Sequence, residues 1–273
     1  MKKTFLLVCL FKIAVANVCC QLHKVRYDDN PKAGKYYDVR GIKLYVETYG
    51  TGQPLLLIHG NGGDISAFAQ NIPYFEKKYQ VIAVDSRAQG NSADKGDSLS
   101  FEMMADDFAA LLDEMHIDSA YVIGWSDGGI NALVLAMRHP GKVKKLVASG
   151  ANLWPDSSAI MPDTWLDDYQ HYQANKDRHF TDAKEKNDWK IFLLDWFQPN
   201  IPLSALHSIK CPSLIVAGDH DVITEEHTIK IFQNIRHANL WILPNSGHGT
   251  LQEHADEFNA KVDHFFSTPF KDK

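Results

Sequence analysis

The chain has 273 residues, 45% of them hydrophobic and 23% charged, with a formal net charge of −6. That length and composition suit one large α/β domain carrying an insertion, with a packed core and neither repeats nor low-complexity tracts. The acidic balance, with Lys and Arg concentrated only in short clusters such as residues 142–145, excludes the electrostatic footprint of a nucleic-acid binder.

At the N-terminus, Lys2 and Lys3 precede an apolar stretch over residues 5–11, and Ala14-Val15-Ala16 offers a small-residue cleavage site. Residues 1–20 therefore read as a signal peptide and leader, and an exported, periplasmic or secreted protein is expected rather than a cytoplasmic one, although Lys12 interrupts the apolar run. The stretch is too short for a transmembrane anchor, and no other segment could span a membrane. Of the four cysteines, Cys9 lies in the leader and Cys19 and Cys20 sit side by side just after the cleavage site. Either of that pair could accept a lipid, but Asn17 and Val18 match poorly the small residue expected before such a site. Cys211 stands alone, so there is no disulfide framework, and it reads as a small buried apolar residue.

Further on, residues 36–40 and 42–49 alternate around Gly41 and predict an antiparallel hairpin at a sheet edge. Continuous apolar runs at residues 55–58, 81–84, 120–123, 146–148, 213–217 and 240–243 predict strands buried on both faces. Helical periodicity separates most of them. Phe101, Met104, Phe108, Leu111, Leu112 and Met115 mark one helix face, residues 130–139 form a second helix, and Leu251, Phe258, Val262, Phe265 and Phe266 mark another near the C-terminus. Strands alternating with helices imply a mostly parallel sheet flanked by helices, assembled from residues 35–150 and 208–270. Residues 151–207 break the alternation and read as a small helical cap, with an amphipathic helix at 189–197. Trp154, Trp165, Trp189 and Trp196 lie here among acidic residues and either line an apolar pocket or pack the cap itself.

Chemistry concentrates where strands end. Gly124-Trp125-Ser126-Asp127-Gly128-Gly129 follows the strand at 120–123 and precedes a helix, the pattern of a nucleophile elbow. Its glycines allow strand and helix backbones to approach closely. The other reading is a glycine-rich loop whose serine merely caps the next helix. A serine hydroxyl needs a base within hydrogen-bond reach, held in turn by a carboxylate. Among the 13 histidines, His248 follows the strand at 240–243 at the same sheet edge. Gly218-Asp219-His220-Asp221 follows the strand at 213–217 and supplies two carboxylates, between which the residues alone do not choose. For an oxyanion hole, the backbone N–H of Asp127 sits at a helix N-terminus. The loop His59-Gly60-Asn61-Gly62-Gly63 offers a second donor, first Asn61 and then Gly62. His59 more simply shapes that loop.

Taken as an ordered set, Gly52-Gln53-Pro54 through His59-Gly60, Asp85-Ser86-Arg87-Ala88-Gln89-Gly90-Asn91-Ser92, the Ser126 segment, Gly218 to Asp221 and Gly247-His248 resemble the α/β-hydrolase superfamily, in its small esterase, haloperoxidase-like and carbon-carbon hydrolase branch. The resemblance implies the α/β-hydrolase fold and the nucleophile, acid, base order Ser126, Asp221, His248. It selects Asp221 as the acid and leaves Asp219 as a turn residue. It departs at Ala88 and Gln89, where the family often has Gly and His, in a segment that is usually structural. With serine at the elbow, dehalogenases and epoxide hydrolases, which use aspartate, are excluded. The expected activity is a serine hydrolase of carboxylic esters or related acyl substrates, by way of an acyl-enzyme. Carbon-carbon hydrolysis, lactone opening, acyl transfer and a non-catalytic ligand-binding role are the alternatives. No zinc-type spacing and no phosphate-binding G-x-x-x-x-G-K-[ST] occurs, so neither metal nor cofactor is expected. The partner expected is a small-molecule ester or acyl substrate, bound by a monomer or weak homo-oligomer.

Overall fold

The computed structural model describes residues 26–271. The leader, with Cys9, Cys19 and Cys20, lies outside them. Among the described residues, eight strands form one sheet: β1 (Gly34–Val39), β2 (Ile42–Tyr49), β3 (Gln53–Ile58), β4 (Tyr79–Val84), β5 (Ala120–Trp125), β6 (Val143–Ser149), β7 (Ser213–Gly218) and β8 (Ala238–Leu243). The order across the sheet is β1-β2-β4-β3-β5-β6-β7-β8, antiparallel at β1/β2 and β2/β4 and parallel elsewhere. The helices are α1 (Ile72–Phe75), α2 (Phe101–Glu114), α3 (Asp127–Arg138), α4 (Pro162–Asn175), α5 (Ala183–Phe197), α6 (Glu225–Gln233), α7 (Thr250–Glu253) and α8 (Ala255–Ser267). No helix of the described residues is long and apolar enough to cross a membrane.

The period of a strand explains the layering. Leu56 and Ile58 of β3 face the layer built with α2, α3 and α6, whereas Leu55 and Leu57 face the layer built with α1, α7 and α8. All four are fully buried, each contributing roughly 1.5 to 3 kcal/mol relative to exposure. The edge hairpin turns through Arg40 and Gly41, both at positive φ, so that Val39 pairs with Ile42. At the opposite edge, β8 departs from the expectation of a strand buried on both faces. Asn239 is exposed and Leu240 to Ile242 only half-buried, because no further strand covers β8.

Two helix boundaries also differ from the periodicity. Helix α3 starts at Asp127, three residues before the apolar pattern, because the chain enters it directly from the β5 turn. The C-terminal helix is broken at His254 (φ −123°, ψ 42°), and the two pieces place Leu251 and Phe258 in the same core layer. The residues 151–207 hold α4 and α5. Asp182 starts α5 by accepting the N–H groups of Lys184 and Glu185, the capping geometry its side chain favours. No residue of α4 is buried; its Trp165 and Tyr172 stack instead on Trp196 of α5, with Tyr169 tilted against the same ring. Cys211 is buried, and burial pushes its thiol up to about 11.

The chain leaving β6 is tied down by His227 of α6. Its Nε2 accepts the N–H of Leu153 at 2.9 Å, and Trp154 packs edge-on against the ring at 4.5 Å. Burial pushes this histidine from 6.5 down to about 4. Between those values the unfolded chain binds a proton that the folded chain refuses, so this contribution is intact above pH 6.5 and drains as pH falls toward 4. The loss amounts to about 3 kcal/mol. His227→Gln keeps an acceptor for Leu153 without titrating. Urea unfolding of the wild type should therefore lose about 3 kcal/mol more than the variant across this pH window; parallel stability curves would contradict the assignment.

Candidate active site

Ser126 occupies the turn between β5 and α3 with φ 57° and ψ −123°, a conformation a residue with a Cβ adopts only under strain. The turn is held by its own hydrogen bonds. Ser126 N–H donates to the Ser149 carbonyl at 2.8 Å, and the Ser126 carbonyl accepts from Gly129 and Ile130. A Cβ on Gly124 would overlap the Gly128 carbonyl oxygen, and one on Gly128 would overlap that of Ile58. Both glycines are therefore steric requirements of the close strand-helix approach.

The structure brings the other two expected residues to this serine. His248 Nε2 lies 2.9 Å from Ser126 Oγ, and its Nδ1 lies 2.6 Å from Asp221 Oδ1. With a carboxylate on Nδ1, that nitrogen carries the proton, leaving Nε2 to accept from the serine hydroxyl. Asp221 is buried, and its Oδ1 also accepts the Ile223 N–H at 3.1 Å, which fixes the carboxylate's orientation. Asp219 is turned elsewhere. It accepts from Ser246 N–H at 3.1 Å and from its neighbour His220, whose hydrogen bond holds its carboxyl down at about 2. Its bond to Ser246, with that of His220 N–H to the Ser246 carbonyl, locks the Asp221 loop onto the His248 loop. Trp125 Nε1 donates to the His248 carbonyl at 2.8 Å, and the bare Gly150 (φ +62°) leaves room for the imidazole.

Across the serine stands the loop after β3. Gly60 packs so close that a Cβ there would lie 3.0 Å from that of Ser126. Buried His59 shapes this loop. Its Nδ1 donates to the Gly60 carbonyl at 2.7 Å, its Nε2 accepts from Ser86 N–H at 3.0 Å, and burial keeps it neutral by lowering its affinity for a proton. The backbone N–H groups of Asn61 and Asp127 have no acceptor among the described residues, whereas Gly62 N–H is taken by Gln89 Oε1 at 2.7 Å. Gln89 thus removes the second-choice donor, a role that its place in a segment read as structural did not signal. Ala88 beside it sits at φ 67°. Asp85 accepts from Ile65 and Asn91 N–H groups, and Arg87 forms a buried two-point pair with Asp107, so both serve the architecture.

A cavity of about 700 Å³ lies between this loop and the α4–α5 segment. Its walls include Asn61, Gly62, Gln89, Ile191, Phe192, Asp195 and Trp196; neither Ser126 nor His248 lines it, and the link to the elbow is the hydrogen bond from Asn61 to Asp127. The aromatics of residues 151–207 divide. Phe192 and Trp196 face the cavity, Trp165 and Trp189 stack within the helical pair, and Trp154 packs against His227. The Asn61 side chain donates to Asp127 Oδ2 at 2.8 Å and to the Ile191 carbonyl at 3.2 Å, bridging loop, elbow and α5.

A family model described as the alpha/beta hydrolase fold matches residues 53–188. Serine hydrolase BPHL of Mus musculus is 28% identical over 244 residues, spanning 83% of this chain and 84% of that protein. Among solved structures, a meta-cleavage product hydrolase from Pseudomonas fluorescens superposes with a TM-score of 0.71 at 22% identity, over 87% of this chain and 98% of that one. The enol-lactonase of Burkholderia xenovorans gives 0.70 at 20% identity, over 86% and 100%.

Because both added methyl groups would meet backbone rather than a flexible side chain, Gly124→Ala and Gly128→Ala should each cost about 3 kcal/mol or more. Chemical denaturation or soluble yield measures this; a variant as stable as wild type would mean that the elbow is looser than described.

Proposed function

The chain belongs to the α/β-hydrolase superfamily and is an enzyme with hydrolase activity; from that premise we propose that it is a serine hydrolase of carboxylic esters or related acyl substrates. The observation that carries this reading is the unbroken line of hydrogen bonds from Asp221 through His248 to Ser126, at 2.6 and 2.9 Å, ending on a serine held in a strained turn.

In the proposed reaction, His248 Nε2 removes the hydroxyl proton as Ser126 Oγ attacks the substrate carbonyl carbon. The charge that gathers on the carbonyl oxygen is received by the N–H groups of Asn61 and Asp127, the second of which also stands at the positive end of α3. His248 then passes its proton to the leaving alcohol, and an acyl-enzyme forms on Ser126. Water enters, gives its proton to His248 and attacks the acyl carbon, and collapse returns the proton to Ser126 and releases the acid. Asp221 keeps the imidazole in the required tautomer and stabilises its protonated form throughout. The residues 151–207 act as a cap over the cavity in this reading, with Phe192 and Trp196 offering apolar surface to the acyl or alcohol portion.

The serine hydrolase relative supports the serine mechanism, and the carbon-carbon hydrolase and lactonase neighbours share the fold. A non-catalytic binding protein would have no need of the complete Ser126, His248, Asp221 alignment. Screening p-nitrophenyl esters from acetate to long acyl chains, with lactone and vinylogous diketone substrates alongside, reads the substrate class. Ser126→Ala should abolish ester turnover and labelling by a fluorophosphonate probe, and Asp221→Asn should lower kcat by roughly 10⁴-fold. Full ester hydrolysis by Ser126→Ala would overturn the proposal.

A further inference from the structure

Asp127 follows the proposed nucleophile directly and is buried at 2% exposure. Beyond the Asn61 amide at 2.8 Å, its carboxyl has a second hydrogen-bond partner, and that partner is another carboxyl, Asp195 of α5. The titratable groups that act on Asp195 are Asp127, Asp168 on α4 and His248. Asp188 and Lys184, about two and three turns away on the cavity wall, pair with each other at 2.6 Å, and Asp64 caps its own turn at 2.7 Å. Asp127 is buried and Asp195 is half-buried on the cavity wall, and two carboxyl groups hydrogen-bonded to each other need a proton between them. Burial and the neighbouring Asp127 charge hold Asp195 well above the usual carboxylate range, so it keeps its proton and donates it to Asp127.

This contact closes a network. Asp127 receives Asn61 on one side and Asp195 on the other, while Asn61 also donates to the Ile191 carbonyl of α5. The two residues whose backbone N–H groups have no acceptor among the described residues are thereby fastened to the helix that walls the cavity. We propose that Asp195 is a positioning residue, whose shared proton with Asp127 clamps the oxyanion loop and α5 onto the nucleophile elbow and limits the charge beside the developing oxyanion to one. This rests on the serine hydrolase reading. Losing the proton to solvent removes the only donor between the two carboxyls and doubles the negative charge next to a centre where negative charge must form.

The full-length chain with Asp195→Asn and Asp195→Ala tests this. Asparagine supplies an N–H donor to Asp127 that cannot ionise. In the wild type, kcat for an active ester should fall on an alkaline limb while KM moves less. Asp195→Asn should keep kcat within about threefold at neutral pH and lack that limb, and Asp195→Ala should lose about tenfold or more in kcat at every pH. A readout independent of turnover is the infrared carboxylic-acid C=O band, present at neutral pH in the difference spectrum of wild type minus Asp195→Asn. Asp85, pushed up to about 8 by burial, remains in both proteins and cancels. An alkaline limb retained in Asp195→Asn, or a difference spectrum without the band, overturns the proposal. The infrared result holds whether or not Ser126 proves to be the nucleophile, so failure of the clamp and failure of the serine mechanism are told apart.

Discussion

The close contact between β5 and α3 is the constraint from which the site follows. Gly124 touches the Gly128 carbonyl, Gly128 touches that of Ile58, and between them Ser126 is held at φ 57°. A side chain at either glycine would push the helix away and relax the serine. The strain, of order 1 to 3 kcal/mol, is offset by hydrogen bonds to Ser149 and into the first turn of α3. It lifts the hydroxyl to the carboxyl edge of the parallel sheet, directly before the first residue of α3. Whatever chemistry takes place there starts from this geometry.

Much else at that edge is arranged by loops locked to one another. The Asp221 loop and the His248 loop are cross-linked by Asp219, His220 and Ser246. Trp125, one residue before the serine, holds the His248 backbone. On the far side, His59 and Gln89 fix the glycine-rich loop by taking up its internal polar groups, and the Asn61 N–H has no acceptor among the described residues. Polar residues outside the alignment of Ser126, His248 and Asp221 thus determine which backbone donors stay free.

The α4–α5 segment is held by a different economy. It buries few side chains, Ile191 and Leu194 of α5 among them, and coheres through stacked aromatics. One inward anchor is ionic: Lys190 reaches Asp94 at 3.0 Å, Asp94 also meets Arg87, and Arg87 is paired with Asp107 of α2. Another is the Asn61, Asp127 and Asp195 network beside the elbow. Both anchors run through residues that also shape the loops flanking the serine, so the segment's position and the site's geometry are coupled.

Legibility followed the range of the interactions. Strand runs, the edge hairpin, the helix faces and the loops carrying Ser126 and His248 are written in local patterns: a period of two or 3.6, a glycine where backbones touch, a polar residue just past an apolar run. Those patterns also placed Asn61 and Asp127 on facing segments. They could not choose between Asp219 and Asp221, which lie in one turn and differ only in what each meets across the fold; the family resemblance made that choice, and the structure shows Asp219 spent on the neighbouring loop. Nor could they show that Gln89 occupies the Gly62 N–H, that β8 is left half-exposed as an edge, or that Asp195 meets Asp127. The sequence by itself determined the architecture and the positions of the reactive side chains, because periodicity and steric need are properties of neighbours along the chain. Only the tertiary structure decided which polar groups stay free, which are paired and which share a proton, because those depend on which distant segments the fold brings into contact away from water.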